Sequence, residues 1–199
     1  FVVEPRPDER LRLLLSGEVD VAADLDEIAV KVLEKVECCS GLVRPGSAVE
    51  YLHLGASDPR FNDRRVREAV NLAVDRDRYV AEAHGGLGQA VGQMAVPGVF
   101  GYAPDVRTPR RDPVRARALL AEAGYPGGLD VVLEHRPGRR ADVLARQLAE
   151  AGIRAELRES AWPDLYRRLR RGEVGFYFGG VVSPTAEASD VLDGYVHTR

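Results

Sequence analysis

The residues able to do chemistry are scattered along this chain, and their spacing decides what each could do. The run Gly86-Leu87-Gly88-Gln89-Ala90-Val91-Gly92 has enough glycine to bring backbone N–H groups around a phosphate. Such a loop needs a strand before it and a Lys-Ser/Thr pair after it. Neither is present, so nucleotide binding is not expected. The histidines, His53, His84, His135 and His197, lie far apart and lack the spacing that sets two imidazoles on one helix face for zinc. Ser40 and Ser183 lack the glycine-flanked turn that exposes a nucleophilic serine. Carboxylates are many, but none is paired in an apolar setting that would split their pKa values into an acid and a base. Cys38 and Cys39 are adjacent, too close along the chain for ordinary disulfide geometry. They are expected as two small buried or half-buried thiols, with a cysteine outside these residues as the alternative partner. The expectation is a chain that is not an enzyme and has no cofactor and no metal. An enzyme whose site only folding assembles is kept as an alternative.

Composition sets the broad class. The 199 residues are 45% hydrophobic and 30% charged, the balance of a globular chain with a core. Basic and acidic residues number 28 and 31, giving a net charge of -3. That near-balance provides no long-range field for nucleic acid or an anionic membrane. The arginine pairs Arg110-Arg111, Arg139-Arg140 and Arg167-Arg168 read as solvated helix faces. No apolar stretch reaches the ~18–20 residues of a membrane span. The first residues read as mid-strand and the last stop without a cap, so a longer parent protein is expected.

The elements that must position any site alternate between helix and short strand, which predicts an α/β fold. Asp8 is expected to cap a helix ending at Gly17, followed by a strand near Val19-Asp20-Val21. Residues Leu25 to Val36 read as a helix with Ile28, Val32 and Val36 inward. Val49 to Leu54 read as a strand. Asp63 caps a helix that buries Val66, Ala69, Val70 and Ala73; Asp75 caps the next, which stops at Gly85-Gly86. Residues 86–111 read as a long loop, a length that is usually functional or packed on another part of the structure. Asp112 and Pro113 open a helix that Gly124 closes. A strand at Val131 to Leu133, a helix from Arg140 to Ala151 and an alternating strand at Ile153 to Leu157 follow. Trp162 then anchors a helix burying Leu165 and Leu169, and Phe176-Tyr177-Phe178 is the last strand. Gly-Glu-Val recurs at Gly17 and at Gly172, each time as a left-handed helix stop.

Several segments resemble the family 5 extracellular solute-binding proteins. The longest runs from Pro59-Arg60-Phe61-Asn62-Asp63 through Val66-Arg67-Glu68-Ala69-Val70 to Val74-Asp75-Arg76. Others are Asp112-Pro113 through Ala123-Gly124-Tyr125-Pro126-Gly127-Gly128, then Gln147 to Ile153 with the later Trp162, and Leu15-Ser16-Gly17-Glu18-Val19-Asp20. The resemblance implies a periplasmic-binding-protein-like (type II) lobe, with a mixed sheet flanked by helices. It implies the substrate-binding component of an ABC-type importer, located outside the cytoplasm, capturing a small-molecule or peptide-like solute and delivering it to permease subunits in the membrane. A monomer without nucleic-acid partners is expected, and a sensory or interaction domain reusing the fold is the alternative. Residues 1–199 would be mainly the second lobe, with 1–50 towards the hinge and the N-terminal lobe and final segment absent. The loop from Gly179 to Asp190 would face the cleft. Ligand contacts would then fall at Tyr51, His53, Gly180, Ser183, Thr185 and Glu187. Peptide-binding members commonly carry a Trp where this chain has Gly180 and an Asp where it has Pro184. Both departures argue against the ordinary anchoring of a peptide's amino terminus.

Overall fold

The structure is a computed structural model and describes residues 1–195. His197 and the uncapped end expected over 196–199 lie outside the described residues. The chain divides into two compact units, Phe1–Pro45 and the remainder from Gly46.

In the first unit, the opening residues expected as a strand are exposed and irregular. Helix α1 (Pro7–Leu15) begins with Pro7, and Arg6 rather than Asp8 holds the cap position. Asp8 instead lies in the first turn, where a carboxylate still suits the helix dipole. Gly17, at φ 75°, ends the helix, with its N–H on the Leu14 carbonyl at 3.1 Å and the Glu18 N–H on Leu13 at 3.0 Å. No strand follows: Val21 is exposed, and Arg10 ties the segment instead, donating to the carbonyls of Glu4 (2.8 Å) and Asp24 (2.5 Å). Helix α2 (Glu27–Leu33) is capped by Asp26, which accepts from the Ala29 N–H at 2.8 Å. It is shorter than expected and buries Ala29 and Leu33 while Ile28 is exposed, so the four-residue period holds one register later.

The second unit is built on a four-stranded sheet of order β1-β4-β2-β3, with strands β1 (Ala48–Leu54), β2 (Leu129–His135), β3 (Ile153–Glu159) and β4 (Phe176–Val182). β2 runs parallel to β3 and β4, and β1 pairs antiparallel with β4. Strand alternation sorts the side chains. Leu52, Leu54, Phe176, Phe178, Leu129, Val131 and Leu133 point into the main core. There they meet Phe61 of a 3₁₀ turn (Pro59–Asn62) and the buried stripes of α3 (Arg64–Ala73), α5 (Pro113–Glu122) and α6 (Arg140–Glu150). A second core, Leu165, Val174 and Tyr177, joins Tyr51 of β1 to α7 (Trp162–Arg170). Asp63, Asp75 and Asp112 cap α3, α4 (Arg76–His84) and α5 through their side chains. Buried Gln147 of α6 accepts from the Asp75 N–H at 2.7 Å, fixing α6 to the α3–α4 junction.

Three expectations are revised here. Arg110 and Arg111 precede α5 rather than lying on a helix face. β4 does not end at Phe178; Gly179 to Val182 continue it, paired with Tyr51 to Ala48. A short helix α8 (Ser189–Tyr195) follows the loop at 183–188.

Candidate functional site

The three parallel strands β2, β3 and β4 all end on one side of the sheet, where β1 begins. Open α/β sheets bind ligands at this carboxyl edge. His135, the last residue of β2, pairs with Phe178, while β4 runs on to Val182. The β1–β4 ribbon therefore overhangs the end of β2 and forms one wall of a rim. The connections β2–α6, β3–α7 and β4–α8 supply the rest.

Gly179 and Gly180 lie in the overhang for different reasons. A Cβ on Gly179 would stand 2.5 Å from Tyr177 Cε2, so packing demands glycine there. A Cβ on Gly180 would meet only the Val49 carbonyl oxygen at 3.5 Å and Glu50 Cγ at 3.7 Å, ordinary contacts. Nothing in the packing requires a glycine at 180, and the residue is exposed.

Opposite Gly180 stands Glu50. Its carboxylate accepts from Tyr79 Oη (2.5 Å), pairs with His84 Nε2 (2.7 Å) and accepts from Arg140 Nη1 (2.9 Å). Burial pushes this carboxyl up, but the His84 and Tyr79 hydrogen bonds and the Arg140 charge bring it below its ordinary value. Burial and the same hydrogen bond push the Tyr79 hydroxyl well up. Glu134, near the end of β2, is also committed: Arg168 grips it with two hydrogen bonds at 2.6 and 3.0 Å. These acids hold the rim together and are already matched.

Tyr51 and His53 share one face of β1, as their alternation requires, and that face lies under α7. The Tyr51 and Tyr177 hydroxyls are hydrogen-bonded, and the His53 ring lies 5.1 Å from the Tyr177 ring. Burial pushes the His53 imidazole below its ordinary pKa. Ser183 is 5% exposed and its hydroxyl sits 3.0 Å from both the Glu187 carbonyl and Asp190 Oδ2. Asp190 Oδ2 also accepts from the Thr185 N–H (3.1 Å) and hydroxyl (2.5 Å). Asp190, which the sequence did not single out, is thus the organiser of this loop. Glu187 is exposed, with Ser189 Oγ at 3.3 Å from its carboxylate.

The long loop at 86–111 reaches the same place. Phe100 donates its N–H to Ala186 and accepts from the Ala188 N–H, both at 2.8 Å. Ala95, Val99 and Ala188 form a small core between the two loops. Gly101, at φ 91°, lets them approach: a Cβ there would lie 2.9 Å from that of Ala188.

Sequence reasoning also passed over Arg136 and misjudged Trp162. Trp162 is 42% exposed rather than an anchor in the core. The Arg136 guanidinium lies 5.7 Å from its ring centroid, and Tyr166 packs alongside at 5.4 Å. The β3 end is pinned to the β2 end by Ser160 N–H on the His135 carbonyl, 2.9 Å, which brings the two together. α6 and α7, which start at this rim, have no side-chain caps, unlike α2 to α5. The first-turn N–H groups of α6 and the Arg136 guanidinium offer hydrogen-bond donors to an anionic or carbonyl group, whereas in α7 Pro163 has no N–H and the Asp164 N–H is on the Ala161 carbonyl at 3.1 Å. Among the described residues, no group of three His, Cys, Asp or Glu side chains could hold a metal ion, and no helix is long and apolar enough to cross a membrane.

Comparison with known proteins identifies the family. The family described as bacterial extracellular solute-binding proteins, family 5 Middle, matches residues 1–199. A probable di/tripeptide-binding protein of Pseudomonas aeruginosa is 30% identical over 199 residues, covering 96% of this chain and 38% of that protein. The chain thus spans well under half the length of this relative. Among solved structures, the periplasmic binding protein DppA of Helicobacter pylori in complex with the peptide STSA has a TM-score of 0.81 at 24% identity, covering 96% of this chain and 38% of that one. The binding protein AgaA of A. tumefaciens, in complex with agropinic acid, has a TM-score of 0.75 at 26% identity, covering 92% and 38%. The family is one of solute binders rather than enzymes, and over its whole length this chain belongs to the bacterial extracellular solute-binding proteins of family 5.

Proposed function

We propose that this chain is the second lobe of the solute-binding component of an ABC-type importer and that the carboxyl-edge rim is its half of the solute site. Residues 1–50 would lie towards the hinge and 86–111 would buttress the rim. The observation that carries the reading is that the three parallel strands end on one side of the sheet, where Gly180, Arg136 and Trp162 are all exposed. Gly180, Thr185 and Glu187 line the rim, and Arg136 and Trp162 join them. Ser183 shapes the loop from within; Tyr51 and His53 support the rim from the α7 face. A lobe outside these residues would close over the solute, and the closed form would engage the permease.

The full-length protein, titrated calorimetrically with a panel of short peptides and carboxylate-bearing solutes, tests this. Arg136→Ala and Gly180→Ala should each weaken binding about tenfold or more, near 1.4 kcal/mol, with unchanged melting temperature. Unchanged affinity in both would remove the rim as the site. A second reading rests on Glu187, the exposed acid beside Pro184. It could pair with a peptide's amino group, as the di/tripeptide relative's name suggests. Free and N-acetylated peptides separate the two: only an ammonium-pairing site loses the acetylated form.

A further inference from the structure

Cys38 and Cys39 stand outside this site, in the first unit, on irregular backbone after α2. They are the only cysteines in the 199 residues, so the one thiol each can pair with inside this sequence is the other. Cys39 is half-buried, within the expectation of buried or half-buried thiols, whereas Cys38 is exposed and departs from it. Their sulfur atoms are 3.1 Å apart. A disulfide is about 2.05 Å long, so closure needs roughly 1 Å of movement. No ladder hydrogen bonds hold this segment against it.

The bond formed would not be ordinary. Disulfides usually span Cα atoms roughly 4.4–6.8 Å apart, whereas neighbours across a trans peptide are about 3.8 Å apart. Such a ring is strained, and strained, exposed disulfides are the readily reduced, exchangeable ones. An extracellular family works where disulfides form and persist.

We propose that Cys38 and Cys39 form a reversible vicinal dithiol–disulfide couple that exchanges with disulfides of other molecules. The exposed Cys38 thiolate attacks a small-molecule or protein disulfide, forming a mixed disulfide and releasing one thiolate, which takes up a proton. Cys39 then loses its proton to solvent and attacks the Cys38 sulfur, closing the vicinal bond and releasing the second thiolate. Two electrons and two protons leave the pair, and the external disulfide becomes two thiols. The order follows from access: Cys38 is the sulfur a disulfide can reach. The hydrogen bond to Cys38 and burial hold the Cys39 thiol above its ordinary pKa, which makes it a poor first nucleophile.

The test exposes the full-length protein to graded ratios of reduced and oxidised glutathione, quenches in acid, alkylates free thiols and analyses the peptides by mass. The expected product at oxidising ratios is a peptide carrying both cysteines, unalkylated and two hydrogens lighter, which returns to the dithiol at reducing ratios. Cys39→Ser should trap glutathione on Cys38 about tenfold faster than Cys38→Ser traps it on Cys39, with both variants keeping the wild-type circular dichroism. Thiols that stay alkylatable at every ratio would overturn the proposal. So would recovery of either cysteine cross-linked to a cysteine elsewhere in the full-length chain, or equal trapping in the two variants.

Discussion

Replacing Glu134 with alanine should be among the most costly single changes in the second unit. The carboxylate is 4% exposed and takes Arg168 at 2.6 and 3.0 Å, Arg158 at 3.2 Å and Ser160 Oγ at 3.3 Å. It therefore joins β2, β3 and α7 at one point. Removing one partner of a buried ion pair costs about 3–5 kcal/mol. The Arg168 side chain is 30% exposed and recovers part of its hydration, which favours the lower end, about 3 kcal/mol. For a chain of this size that is a fall in melting temperature of about 6–12 °C. Arg158 is 50% exposed, and Arg158→Ala should cost no more than about 0.5 kcal/mol. Urea unfolding of Glu134→Ala, Arg168→Ala and the double variant measures the coupling, with the double variant costing less than the sum. The pH dependence has a definite sign. Burial raises the Glu134 carboxyl, but Arg168 and Arg158 outweigh it, so the folded pKa lies below the ordinary 4.5. The stabilisation is complete above that value and lost as pH falls through the folded pKa. Glu134→Gln should flatten this acid limb. A Glu134→Ala variant no less stable than Arg158→Ala would refute the reasoning.

Tyr79→Phe removes the 2.5 Å hydrogen bond to Glu50 and should lower stability by about 1–2 kcal/mol in urea unfolding. His53 is held below 6.5 by burial, so the unfolded chain binds its proton more readily. Stability should fall as pH drops from about 6.5 towards the folded pKa, and His53→Gln should remove that slope from a pH series of melting temperatures. Gly101→Ala places a methyl group 2.9 Å from that of Ala188 at φ 91° and should cost about 1–2 kcal/mol. Limited proteolysis should then cut faster within 86–111.

Much of the scaffold was legible because its signals are local. Asp63, Asp75 and Asp112 announce helices whose first N–H groups they accept from, and the α3 stripe repeats at helical spacing. The two Gly-Glu-Val stops form the same hydrogen bonds, Glu18 to Leu13 and Glu173 to Arg168, each at 3.0 Å. Yet only Gly172 leads into a strand, because Phe176-Tyr177-Phe178 finds β1 and β2 as neighbours and Val19-Asp20-Val21 finds none. Gly179-Gly180 read as loop because glycine weakens strands; pairing with β1 overrides it. The rim was least legible. Arg136 and Trp162 meet only because parallel pairing sets the ends of β2 and β3 side by side. Sequence spacing carries no trace of that.

The strand order has a consequence for how the molecule is made. Among the described residues β4 is the last strand, yet it lies between β1 and β2. Until it emerges, β1 has no partner, and β2 and β3 form only a two-stranded parallel pair, since the central seat is empty. The contacts that close the sheet, such as Leu54 with Phe176, join distant parts of the chain. Loop closure must therefore precede most of the stabilisation, and refolding should be slow for a domain of this size. A chain ending before Phe176 would keep its helix signals but expose β1 and one edge of β2, the state most prone to pairing with other chains.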